Sequence, residues 1–375
     1  YSVTGRPCNL QGDYLPDGAL PPPWDHPAPD DWSPYDNCPC FELADLLYCC
    51  NQMPGSHISD LMQIWATMLS NDHDPLFFSK DDLYNTIDST QVGNIPWQSF
   101  TVSYNGELGD GDVAPWKVAS YDVWYRDPRD VLKSQLSNPD FAKEMDFAPK
   151  EIRDAKTSCR WFQNFMSGCW SWHIADQIAE NEHNHSATLC PIILGSDKTT
   201  VSVAMGQNEY YPLCMSNGLI HNNVCHAHQN GVTLIAFLAI PKTDREHQGS
   251  LEFCQFRCNL FHGSLRQILW SLHAGMEEAE IIHFADGHFH RVIYQIGPYI
   301  ADYPEQVLCT CIVQGWCARC DALASNLDGE GGRQTHELTL ALFDALDKKV
   351  LWDNYGIVDD IMVITLTSFF LYSLH

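Results

Sequence analysis

Between residues 41 and 69, apolar side chains recur at helical spacing. Leu43, Leu46 and Leu47 are followed by Leu61, Ile64, Trp65 and Met68, with an interruption at Pro54-Gly55. Side chains three and four positions apart share a helix face, so the pattern predicts two short helices. A further helix is predicted within residues 122–149. It opens near Pro128, where a missing N–H costs nothing in the first turn, and closes before Asn138-Pro139. Beyond Ala187 the pattern changes to short apolar or β-branched runs at 189–194, 200–204, 210–215 and 232–240, which predict strands joined in an antiparallel meander. A stripe through Phe256, Leu260, Phe261, Leu265, Ile268 and Leu269 predicts an amphipathic helix over 253–273, and two strands follow at 281–285 and 292–300. Antiparallel strands, a helix and then further strands is the order of an α/β fold with an RNase H-like core, although other α/β folds share it.

The ends of the chain carry less pattern. Residues 1–40, with Pro21, Pro22 and Pro23 in a row, show neither period and predict an extended, largely unpacked arm. The chain opens at Tyr1 with no apolar leader and looks cut there, and the apolar stretch 361–374 falls short of the roughly 20 residues a spanning helix needs. The pattern divides the chain into an arm (1–40), a helical region (41–185), a core of strands and a helix (186–308) and a C-terminal segment (309–375).

Composition narrows the function. With 45% hydrophobic and 12% aromatic residues over 375 positions the chain can bury a sizeable core. Its 21 Lys and Arg against 48 Asp and Glu give a net charge of -27, the opposite of a phosphate-binding surface, so any nucleic-acid role must be local or metal-mediated. Sixteen cysteines scattered through apolar segments, with no export signal, read as reduced thiols of the cytosol or nucleus.

Several acids and thiols stand at positions suited to chemistry. Asp197 lies at a break between two strands and Asp302 ends another, and an acid at a strand end can offer oxygen ligands to a divalent ion. A turn role competes for Asp197, and Asp286 rivals Asp302, although its Asp-Gly step reads more simply as a tight turn. Cys317 and Cys320 form a CxxC pair able to fill two corners of a tetrahedral Zn²⁺ site, with His336 as a third ligand. Cys309 and Cys311 read as packing along a strand, His183 with His185 and the stretch 225–228 as loops, and Trp161, Trp170 and Trp172 as core anchors.

Three stretches together, 121–129 (YDVWYRDPR), 191–200 (PIILGSDKTT) and 297–306 (GPYIADYPEQ), the last running on to Gly315-Trp316-Cys317-Ala318-Arg319-Cys320, resemble the Plavaka family of fungal transposases, related to the wider CACTA-like group. The likeness extends from near Asp31 to about Val358. It implies a cut-and-paste DNA transposase of the acid-triad type, in which two Mg²⁺ (or Mn²⁺) ions promote in-line attack on a phosphodiester. By that resemblance Asp197 is the first acid and Asp302 the second, Cys317 and Cys320 begin a Zn²⁺-binding insertion, DNA at the transposon ends is the partner, and the intact protein is a nuclear homo-oligomer without a membrane anchor.

The departures from the family pattern matter too. The third acid and remaining zinc ligands are expected beyond the stretch 352–358, where this chain instead continues into an apolar tail resembling an intron read-through or frameshift product. Glu330 and Glu337 are poor substitutes. Cys169 stands in place of an acid, the basic residues expected near Val224-Cys225 and at His290 are missing, and Ala318 replaces a proline. The expectation is a fragment inactive alone. The alternatives are a domesticated, non-catalytic DNA- or protein-binding module, and an unrelated hydrolase in which a histidine such as His288 joins Asp197 and Asp302.

Overall fold

In the segment from 21 to 96, side chains that accept backbone N–H groups set where helices begin. Asn37 caps α1 (Cys38–Ala44), which runs on through a π-helical turn to Cys50, and Ser79 caps α3 (Lys80–Asp88); between them lies α2 (Gly55–Met68). Leu47, Ile58, Met62, Phe77 and Leu83 close a small core of their own. In this computed structural model the described residues are 3–23, 30–68, 75–90, 95–108, 113–202, 208–225 and 230–358, without the side chains of 202, 208, 336 and 337. Residues 21–96 form one compact unit, and residues 1–20 with 97–375 form a second.

The second unit is a mixed α/β structure built on an eight-stranded sheet. Its strands are β1 (Pro7–Cys8), β2 (Gln98–Ser103), β3 (Ser120–Tyr125), β4 (Thr188–Ser196), β5 (Pro212–Asn217), β6 (Val232–Phe237), β7 (Glu280–His283) and β8 (Phe289–Ile300). The order is β1-β8-β4-β5-β6-β3-β2, with β7 also paired to β8. β4, β5 and β6 form the antiparallel meander, and β8 returns beside β4 as its parallel neighbour. A parallel neighbour requires a crossover. The helix α6 (Leu251–Leu269) lies in that crossover, capped by Ser250 and burying Phe253, Phe256, Leu260, Leu265 and Ile268.

Helix α4 (Pro128–Ser137) begins where proline chemistry placed it. The Asp127 carboxylate accepts the Arg129 N–H at 2.9 Å, and Pro128 occupies the first turn. Asp127 also accepts the Ser271 hydroxyl at 2.6 Å, and Arg129 pairs with Glu280 at 2.9 Å. The acidic and basic residues of the 121–129 stretch are thus spent on architecture. On the buried face of α4, Gln135 bonds the Thr233 hydroxyl at 3.1 Å and accepts from the Asn217 amide at 3.2 Å, tying helix to sheet. Helix α5 (Cys169–Ala179) buries Ile174 and Ala175.

Four expectations need correction. The arm is extended but not loose over its first 20 residues. Gly5 and Arg6 donate to the carbonyls of Ala187 and Ser186 at 3.0 Å, β1 pairs with β8, and Val3 and Cys8 are buried. An aperiodic segment still offers backbone groups to an open strand edge, and that edge was invisible in the sequence. The helical region expected over 41–185 contains the β2–β3 hairpin, which extends the sheet from β6. Of the run expected at 200–204, the described part does not enter the meander: Thr199–Ser202 pairs, among the described residues, with Asn208–Tyr210, and Val201 is exposed. Trp161 is no core anchor but 59% exposed. The apolar tail beyond 358 and the histidines at 226 and 228 lie outside the described residues, and among those that are described no helix is long and apolar enough to cross a membrane.

Leu132 is fully buried on α4, whereas Leu323 is 59% exposed. Leu132→Ala should lower the unfolding free energy by about 2–5 kcal/mol, and Leu323→Ala should change it by less than about 0.5 kcal/mol, measured by denaturant titration.

Candidate functional site

The parallel pair β4–β8 ends in two acids. Leu194 faces Tyr299 and Gly195 faces Ile300 in the last registered pairs. Asp197 and Asp302 each lie two positions further on (195 + 2 and 300 + 2), so they leave the sheet side by side from strands spaced roughly 4.8 Å apart. Both are exposed. At Gly195 the backbones approach closely, and a Cβ there would lie a tight 3.2 Å from the Ile300 carbonyl oxygen. Upstream, the pairing slips between Ile296 and Tyr299, around Gly297-Pro298. Proline has no N–H to give a ladder, and the irregularity resets the register just before the acids.

Beyond Ile300 the chain turns into α7 (Tyr303–Thr310). Asp302 is its N-cap and accepts the Glu305 N–H at 3.0 Å, while Pro304 sits in the first turn. This overturns the reading of Cys309 and Cys311 as strand positions, because Cys309 is helical and Cys311 closes the helix in the left-handed region at φ 55°. Glu305 is buried beneath the two aspartates, only 6% exposed. Its Oε2 accepts the Ser196 hydroxyl at 2.7 Å and its Oε1 the Lys198 N–H at 3.1 Å. Ser196 in turn receives the Tyr299 hydroxyl at 2.7 Å. The Tyr211 hydroxyl is buried against the same carboxylate without a well-formed hydrogen bond. Burial raises the Glu305 pKa above the usual carboxylate range, and the charge of Asp302 adds to that, against the hydrogen bond from Ser196.

Beside the acids lies a cleft of about 500 Å³ whose walls carry Lys198, Lys242 and Arg257 with the aromatic rings of Tyr211 and Phe253. Glu209 holds Lys198 at 3.0 Å and reaches Lys242 at 3.9 Å. Three cations on one cleft are a local reversal in a chain of net charge -27.

Asp286 is placed at the other end of β8, in the β7–β8 turn, with Gly287 at φ 84°. Its Oδ2 contacts His290 at 3.2 Å and His288 at 3.3 Å, and these imidazoles hold its pKa down in spite of burial. The strand takes 300 - 289 = 11 steps from Phe289 to Ile300, roughly 36 Å at 3.3 Å each, so Asp286 cannot share an ion with Asp197. His288 lies at that same far end, which removes the geometry required of an Asp197–His288–Asp302 hydrolase.

The CxxC lies apart from the acids. Tyr303 accepts the Gly315 N–H and donates to the Trp316 carbonyl, both at 2.9 Å, so α7 leads directly into it. Cys317 Sγ accepts the Arg319 N–H at 3.4 Å, and Cys320 pairs across a loop with Arg333. Backbone donors and the Cys320 thiol lower the Cys317 pKa despite some burial, as suits a metal thiolate, while the same contact pushes Cys320 up. The side chains of His336 and Glu337 lie outside the described residues, and Glu330 is exposed in the loop between. Among the described residues no three His, Cys, Asp or Glu side chains converge as a ready-made metal cage. Cys317 and Cys320 are donors of the type Zn²⁺ takes, with no third described beside them. Two carboxylates fit Mg²⁺ better, because that ion is commonly held by one or two protein carboxylates with water and substrate phosphates completing the octahedron.

Residues 77–368, more than three quarters of the chain, match the family described as Plavaka transposase, and the chain belongs to that family. No curated protein matches it. Asp197, Asp302, Glu305, Cys317 and Cys320 all fall inside the matched segment. Sequence reasoning missed Glu305, although an acid three residues after an Asp N-cap is the signature of a capping box. It also missed the cleft cations, which come from three separate elements.

Two predictions concern titrating groups here. Cys317 should be alkylated ahead of Cys320, with its reaction setting in at lower pH, as read by peptide mapping of the labelled chain. His262 on α6 is buried, with Nε2 3.0 Å from Cys311 Sγ and 3.1 Å from the Leu308 carbonyl, and burial pushes its pKa down from 6.5 to about 4. The unfolded chain therefore takes up this proton first. Stability is unaffected by it above about pH 6.5 and is lost as pH falls toward 4. His262→Asn should remove a slope of about 1.4 kcal/mol per pH unit from that window, visible as the difference between the two proteins' unfolding profiles.

Proposed function

We propose that the chain is a transposase-derived segment whose RNase H-like core presents Asp197 and Asp302 to divalent metal and DNA, and that it does not cleave DNA alone. The register of β4 against β8 is the observation that carries this reading, because Asp197 and Asp302 follow the ends of neighbouring parallel strands. Further support comes from the topology, an antiparallel meander followed by a helical crossover to a strand parallel with the first. A bound Mg²⁺ supplies charge neutralisation at the phosphate and an activated oxygen nucleophile. The chain's own part is to hold the two carboxylates at adjoining strand ends and, through Lys198, Lys242 and Arg257, to draw the phosphate backbone toward them.

Support for inactivity alone comes from Glu305. Glu305 has both oxygens engaged by Ser196 and Lys198, so it is not a free third ligand, and no other acid is gathered among the described residues. The same observation favours the second reading, a non-catalytic DNA- or protein-binding module. The intact family member is envisaged as a nuclear multimer acting on transposon ends, with Cys317, Cys320 and His336 contributing to a Zn²⁺ site in the insertion.

The test is DNA binding by fluorescence anisotropy with and without Mg²⁺, run alongside plasmid nicking. Mg²⁺ should tighten binding, with Asp197→Asn and Asp302→Asn each abolishing that gain, Lys242→Glu with Arg257→Glu weakening binding and reducing its salt dependence, and no nicking. Sustained Mg²⁺-dependent nicking would overturn the inactivity. DNA affinity indifferent to Mg²⁺ and to both aspartates would leave only the binding module, and no DNA affinity at all would end both DNA readings.

A further inference from the structure

Glu305 is the most elaborately bonded acid near the sheet end, and its partners are not a random set. Its two carboxylate oxygens hold Ser196 and Lys198, the residues on either side of Asp197, and its own N–H is held by the carboxylate of Asp302. One residue is thereby bonded to both strand ends. Tyr299, on the strand that leads to Asp302, donates to Ser196 and closes a ring of contacts: β8 through Tyr299 to Ser196, Ser196 to Glu305, and Glu305 back to Asp302. Nothing else described at the site spans the two acids in this way. A carboxylate is costly to bury, and it is retained here with hydrogen bonds on both oxygens.

From this we infer that Glu305 is the positioning residue of the metal site: it clamps the backbone around Asp197 against the cap at Asp302 and so fixes the separation of the two carboxylates, without itself being a ligand. The inference rests on the reading of Asp197 and Asp302 as metal-binding acids. It explains how a two-carboxylate site at the ends of two strands stays preorganised where the sheet has stopped supplying ladder hydrogen bonds. Glu305→Gln keeps the size of the side chain but removes its charge, and with its NH₂ turned to Ser196 the hydroxyl loses the carboxylate that accepts its proton, so one arm of the clamp weakens. Ser196→Ala opens the same arm from the other side.

The experiment is a Mn²⁺ titration of the full chain followed by electron paramagnetic resonance of the free ion. Wild-type protein should bind Mn²⁺, and Asp197→Asn and Asp302→Asn should abolish the site. Glu305→Gln and Ser196→Ala should each weaken it by roughly 10–100-fold, the usual effect of losing an outer hydrogen-bond partner, and the double variant should be no worse than the weaker single. Leu132→Ala, destabilised on a different element with no hydrogen bond to the acids, should bind as wild type does, which separates positioning from general loss of stability. If Glu305→Gln and Ser196→Ala bind as tightly as wild type while the aspartate variants do not, the inference falls and the metal site stands. If Leu132→Ala weakens binding as much as Glu305→Gln, the positioning role also falls. If binding is absent, or survives both aspartate substitutions, the reading of the acid pair fails and the inference fails with it.

Discussion

The candidate site depends on one pairing, that of β4 with β8 in parallel. Strands that run the same way release their C-terminal ends at the same end of a sheet, so the segments that carry Asp197 and Asp302 leave it there. The rest of the architecture serves this geometry. Helix α6 lies in the crossover that a parallel neighbour requires, the irregularity at Gly297-Pro298 adjusts the approach, and Gly195 lets the backbones close. A slip of one residue would turn side chains to the opposite face of the sheet. Leu189, Ile192 and Leu194 on β4, with Val292, Tyr294 and Ile296 on β8, are all fully buried, so such a slip would meet the resistance of the whole core.

Charge is distributed against the average of the chain. A protein of net charge -27 repels DNA at a distance, yet Lys198, Lys242 and Arg257 converge on the cleft beside the acids. Glu209 partly neutralises two of them, which keeps the cleft compensated in the absence of an anion. On the proposed reading, attraction to a polyanion at this surface is short-ranged and conditional on a cation that offsets Asp197 and Asp302. Exposed ion pairs of this kind hold little energy, about 0–1 kcal/mol each, so Glu209 can be exchanged for a phosphate oxygen at small cost.

The parts of this molecule that were legible in the sequence are those with a local cause. The start of α4 followed from Asp127-Pro128 and its end from Asn138-Pro139, and α6 followed from an apolar stripe. The strands β4, β5 and β6 were visible as runs, but Thr199–Ser202 looked equally strand-like and pairs elsewhere, because membership of a sheet is decided by partners rather than by residue type. The positions of Asp197 and Asp302 at strand ends were readable. Their adjacency was not, since register between strands a hundred residues apart has no local signature. The capping signal at Asp302, Pro304 and Glu305 was present and local, and reading 309–311 as a strand obscured it. Trp161 misled for a simpler reason: a large aromatic is usually buried, and here it stands on a two-stranded hairpin with no layer above it.

The docking of the N-terminal arm bears on the order of events during synthesis. Pro7 pairs with His290, so 290 - 7 = 283 residues must be made before the arm has the strand it leans on. At roughly 5–20 residues per second this leaves roughly a quarter of a minute to a minute in which the arm has emerged from the ribosome without its partner. Cys8, buried in the finished protein, lacks its β8 neighbour throughout that interval, whereas the partners of Val3, Ile174 and Leu189, are made well before it. A chain arrested before β8 would leave the Pro7–Cys8 strand unpaired.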